Sequence, residues 1–116
     1  MAVIVTPKTT PQELLDEIRA KMGTTEIDTW TLDSDGDFTH STPQWNKKAW
    51  LRPMVKDTNL VFRILPPRTS TISSTVYAIY HGRFIEMLLR HFDESFTEAK
   101  ASSLPSNGDI IRGSAA

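Results

Sequence analysis

The chain contains no cysteine. Disulfides, thiolate metal sites and cysteine nucleophiles are thereby excluded, and a reducing compartment, the cytoplasm, is the expected location. Long apolar runs are missing as well. No segment approaches the roughly 20 apolar residues of a membrane span, and the N-terminal run AVIV is too short for the core of a signal peptide before Pro7 and Lys8 interrupt it. A membrane partner is therefore not expected. Charge of one sign is not in excess: the formal net charge is −1, which provides no field to gather nucleic acid. Glycine-rich phosphate loops, a Gly-x-Ser-x-Gly elbow and a His-Glu-x-x-His pair are all absent. The three histidines, His40, His81 and His91, have no second ligand at metal-site spacing, so no metal and no cofactor is expected. The chemistry that remains is that of a binding protein rather than an enzyme.

What is present is a chain of 116 residues, read as one domain over 1–112 with a small polar tail at 113–116. A domain of this size buries roughly 60 to 70 % of its unfolded surface, enough for a cooperative core. Its charges are divided along its length. From Glu13 to Asp37 the acids are Glu13, Asp16, Glu17, Glu26, Asp28, Asp33, Asp35 and Asp37, against Arg19 and Lys21. From Lys47 to Arg68 the bases are Lys47, Lys48, Arg52, Lys56, Arg63 and Arg68, against Asp57. Such polarisation can steer association even near zero net charge.

AVIVT reads as a first strand. TTPQELLDEIRAKMG has the marks of a helix, with Thr10 as N-cap, Pro11 in the first turn, Glu13 completing a capping box and Gly23 just beyond the end. Its buried stripe is Leu14, Leu15, Ile18 and Met22. Trp30 and Leu32 alternate with polar residues as in a half-buried strand. A three-residue turn Ser34-Asp35-Gly36 would pair Leu32 with Phe38 and Trp30 with His40, keeping the apolar residues together. The same stretch places aspartates 33, 35 and 37 at positions 1, 3 and 5 of a calcium loop. However, Phe38 stands where that loop needs glycine, and Gln44 where it needs a bidentate glutamate, so a polar hairpin is the reading adopted.

STPQWNKK predicts a single helical turn. KAWLRPMV and LVFRILPP predict a hairpin in which Val55 faces Leu60, with Ala49, Leu51, Pro53 and Val55 on the core side and Pro53 demanding an edge or a bulge. TVYAIY has a strand's composition, GRFIEMLLRHFDESF a helix's periodicity, and TEAKASS suits a final strand before PSNGD turns the chain outward. This order of elements predicts a two-layer α+β domain, a mainly antiparallel sheet of about five to six strands with two helices packed on one face.

Two constellations stand out. In the same hairpin register Trp50 faces Leu65, Met54 faces Val61, and Arg52 lies opposite Arg63. Like charges so placed repel and call for an anion from solution, acids of the N-terminal half, or acids of a second subunit. Tryptophan, methionine and arginine are enriched at interface cores. Trp50, Arg52, Met54, Val61, Arg63 and Leu65 are therefore the candidate interface of a homodimer or other protein partner. The second constellation is Tyr80-His81-Gly82-Arg83, read as a strand-to-helix junction. There Tyr80, His81 and Arg83 are candidate ligand-binding residues, for a small molecule or an anion held with helical N–H groups or for weak acid–base chemistry by His81.

Overall fold

The computed structural model describes residues 2–106 and 108–113. Eight elements follow one another: β1 (Val3–Pro7), α1 (Pro11–Lys21), β2 (Trp30–Leu32), β3 (Phe38–His40), β4 (Trp50–Lys56), β5 (Asn59–Leu65), α2 (Ser74–His91) and β6 (Phe96–Ala101). The strands form one antiparallel sheet in the order β2-β3-β4-β5-β1-β6. Leu14, Leu15 and Ile18 of α1 and Tyr80, Phe84 and Leu88 of α2 join one core with Val3, Val5, Leu51, Leu60, Phe62 and Ile64. Both helices thus cover the same face of the sheet, the expected α+β architecture. Among the described residues no helix is long and apolar enough to cross a membrane.

Local chemistry accounts for α1. The Thr10 hydroxyl oxygen accepts the Glu13 N–H at 3.1 Å and its O–H donates to the Glu13 carboxylate at 3.1 Å, satisfying a helical donor that would otherwise lack a partner. Gly23, at φ +72°, carries the chain out of the helix and donates its N–H to Ile27 O at 3.0 Å.

The β2–β3 hairpin has the predicted register, with Trp30 opposite His40 and Leu32 opposite Phe38. Gly36 occupies the left-handed region at φ +83°. The Asp33 N–H donates to Asp37 O at 2.9 Å, and Asp33 Oδ1 accepts the N–H groups of Asp35 and Asp37, each at 2.9 Å. Gly36→Val is expected to lose about 1–2 kcal/mol, since a side chain disfavours this conformation by that amount, whereas exposed Asp35 should accept asparagine nearly without effect. Urea unfolding of both variants checks this, and equal tolerance would contradict the turn's dependence on glycine.

The β4–β5 hairpin also keeps its expected pairs, Val55 with Leu60 and Arg52 with Arg63. Pro53 is accommodated because β3 pairs with β4 only at Phe38 and Leu51, so at Pro53 the strand has run past its neighbour. Val55, expected on the core side, is 46 % exposed, as the hairpin tip reaches beyond the helices.

Three expectations need correction. TVYAIY is not a strand but the first half of α2. Ser73 caps it by accepting the Val76 N–H on its side-chain oxygen at 3.1 Å, and Tyr77, Tyr80, His81, Phe84, Met87 and Leu88 form one continuous buried stripe. Burial along a 3.6-residue period overrode the strand preference of β-branched and aromatic residues. The helix also stops at His91, so that Phe96, expected on the helical stripe, opens β6 instead. Finally, the C-terminal segment does not lead away from the domain. β1 begins at Val3, opposite Phe62, and leaves the main chain of Ile64 uncovered on that side. Asp109 Oδ1 accepts the Ile64 N–H at 3.0 Å, and the Ile110 N–H donates to Ile64 O at 2.9 Å. The strand's polar groups are thus satisfied by a return of the chain. Of the tail expected at 113–116, Gly113 donates its N–H to Ser70 O at 2.8 Å; 114–116 lie outside the described residues.

Candidate functional site

Alternation along β4 and β5 sends Trp50, Arg52, Met54, Val61, Arg63 and Leu65 to the face away from the helices, and Ile4 joins them beside Val61. Val61 is 3 % exposed and the other six are half-buried. The Arg52–Arg63 contact is compensated by an acid from the N-terminal half of the same chain. Phe38 pairs with Leu51, which sets Asp37 across from Arg52. Arg52 Nε donates to Asp37 Oδ1 at 2.9 Å and Nη2 to Oδ2 at 2.7 Å. This two-pronged bond is the first cause of the raised pKa of Arg52. Of the three partners expected for this arginine pair, an anion, an acid of the N-terminal half or an acid of a second subunit, Arg52 thus has the second. Arg63 lies under the C-terminal segment: a Cβ on Gly108 would stand 3.4 Å from its Cδ, and its buried Nε has no hydrogen-bond partner among the described residues.

The three aspartates of the hairpin do bring carboxylate oxygens within 4.8 Å of one another. Their work is visible in the geometry: Asp33 holds the turn's N–H groups and Asp37 holds Arg52.

Tyr80, His81, Gly82 and Arg83 are consecutive residues inside α2, so their side chains diverge, and the strand-to-helix junction expected there does not exist. Tyr80 is fully buried. Its hydroxyl donates to Trp45 O, accepts the Lys48 N–H at 3.2 Å and lies 3.1 Å from Thr39 Oγ1. It pins the segment between β3 and β4 to the helix. His81 is 4 % exposed, stacks on Tyr77 at 3.8 Å between centroids and donates from Nδ1 to Tyr77 O, while its buried Nε2 has no partner among the described residues. Burial lowers its pKa, so the ring is held neutral. An apolar cleft of about 370 Å³ lies beside it, between Ile72, Leu104, Pro105 and Ile111.

Arg83 faces a different space, a polar cleft of about 540 Å³ between α2 and the segment from β3 into the following turn. His40, Thr42 and Trp45 line one wall, and Arg83, Glu86 and Arg90 line the other. The helical residues are spaced i, i+3 and i+7 and so share one stripe. His40 is 4 % exposed and packs against the Trp30 ring at 4.9 Å between centroids. His40 Nδ1 faces both the Thr42 N–H at 3.4 Å and the Thr42 hydroxyl at 3.2 Å; accepting from the N–H favours the neutral tautomer with its proton on Nε2. Burial lowers the His40 pKa, with the Arg83 charge acting in the same direction and Glu86 opposing. Sequence reasoning singled out Arg83 but not His40, Trp45 or Arg90. The only available signal was the helical spacing of Arg83, Glu86 and Arg90, which reads equally as a solvated face. Glu86 pairs with Arg83 at 3.5 Å, and Glu94 lies beyond the end of the helix. Comparisons with protein-family models, with curated proteins and with solved structures found no match to this chain, so its chemistry has to be read from its own geometry.

Proposed function

We propose that the protein works by binding rather than catalysis, as a small interaction module that docks a second copy of itself through the sheet face opposite the helices. One observation carries this reading: the helices cover a single face, and the other presents Ile4, Trp50, Met54, Val61 and Leu65 as neighbours across three adjacent strands. The C-terminal segment covers this face at Arg63; around buried Val61, the half-buried Ile4, Trp50, Met54 and Leu65 still gain from being covered. The charges on that face do not oppose burial in the way two bare arginines would, because Arg52 is already neutralised by Asp37. Lys100 and Glu98, placed beside Ile4 and Thr6 in the ladder, pair with each other at 3.1 Å, so the charges that border the apolar centre are already balanced. Closed twofold dimers are also the commonest assemblies.

Sedimentation at micromolar concentrations should show a dimer for the parent chain and a folded monomer for Trp50→Glu, since a carboxylate buried unpaired at an interface is strongly unfavourable. Leu89→Glu, on the exposed side of α2, where Leu89 is 56 % exposed, should leave the dimer intact. A parent that sediments as a monomer throughout, or a dimer abolished by Leu89→Glu and not by Trp50→Glu, would overturn the proposal.

A further inference from the structure

The cleft between α2 and the β3–β4 connection lies on the helical side of the domain and is independent of the sheet face. At about 540 Å³ it falls within the size range of small-molecule sites, roughly 300–1,000 Å³. Its polar lining is dominated by donors. Arg83 and Arg90 are exposed cations on one stripe of α2, about 10 Å apart along the helix axis, a separation that two long side chains can bridge to one anion. Among the described residues Arg90 has no acidic partner, whereas Glu86 is the one acid in the lining and stands against Arg83.

His40 adds a donor of a different kind. With Nδ1 turned to the Thr42 N–H and hydroxyl, the neutral ring is left to offer N–H at Nε2, a directed hydrogen bond without a third positive charge. Trp45, whose carbonyl is fixed by the Tyr80 hydroxyl, gives the opposite wall an aromatic surface.

We infer that this cleft binds a small organic anion, with a carboxylate or phosphate group held by Arg83, Arg90 and His40 and an apolar body lying against Trp45. Guanidinium groups suit both acids through paired N–H donors. Neither a bare inorganic anion nor an uncharged aromatic compound uses both halves of the site.

Benzoate and phenyl phosphate are the probes for the two acid classes, and benzamide is the uncharged counterpart of benzoate. Titration of the full chain, followed by the Trp45 indole N–H and the His40 ring in NMR spectra, should give saturable shifts with at least one of the acids. Benzamide should bind at least tenfold more weakly than benzoate, or than phenyl phosphate if that is the acid bound. Arg90→Gln and Arg83→Gln are surface changes that leave the core intact, and each should weaken binding of the acid about tenfold while the rest of the spectrum is kept. The inference is overturned if neither acid gives saturable shifts at these two residues, if benzamide binds as well as the acids, or if the Arg83→Gln/Arg90→Gln double variant binds like the parent.

Discussion

Arg52→Ala is expected to destabilise the domain by about 3 kcal/mol, because it leaves a buried carboxylate without its charged partner, and Asp37→Ala by only about 1 kcal/mol, because the arginine left behind is partly solvated. The asymmetry follows from exposure: the Asp37 side chain is 4 % exposed and that of Arg52 39 %. Without Arg52 the carboxylate is held away from water by the strand that carries it. Without Asp37 the guanidinium already has a route to solvent, and its repulsion with Arg63 is screened there. Asp37→Leu combined with Arg52→Met should recover most of the loss, because a packed apolar pair of similar volume replaces a buried ion pair at little net change. Urea unfolding measures all three. Equal losses for the two single variants would show that the pair is not buried on the Asp37 side.

Tyr80→Phe is expected to lose about 1–3 kcal/mol, from two hydrogen bonds of roughly 0.5–1.5 kcal/mol each. The ring can stay where it packs, edge-on to Trp30 at 5.6 Å between centroids. What disappears is the hydroxyl that ties Trp45 O and the Lys48 N–H to α2. Hydrogen exchange should therefore rise at Lys48 while the amides of the β4–β5 ladder stay protected, which separates a local loosening from a general one. If the segment is held by other contacts, the Lys48 amide will exchange at the parent rate and the stability will not change.

The same tyrosine marks a boundary between local and tertiary information. Strand registers were legible in the residues themselves: period-two alternation at Trp30–Leu32 and Trp50–Lys56, with Gly36 in its turn, leaves one pairing that keeps the apolar side chains together. The α1 boundaries were legible for a similar reason, since Thr10, Pro11, Glu13 and Gly23 act on main-chain groups within a few residues of themselves. The beginning of α2 was not. Thr75, Val76, Tyr77, Ile79 and Tyr80 favour extended backbone locally, and only the burial of Tyr77, Tyr80 and His81 against the sheet makes the helix the better conformation.

The candidate sites divide along the same line. That Trp50, Met54, Val61 and Leu65 share a face, with two arginines opposed among them, follows from the hairpin alone. Which acid answers Arg52 depended on β3 lying next to β4. The cleft required residues 40–45 and 83–91 to meet, and no periodicity spans that separation. Short-range order in this chain was set by alternation, capping and turn chemistry, which act over a few bonds. The charge pairing, the long second helix and the cleft were decided by tertiary packing, where burying an aromatic side chain or pairing a charge outweighs the local preference of the backbone.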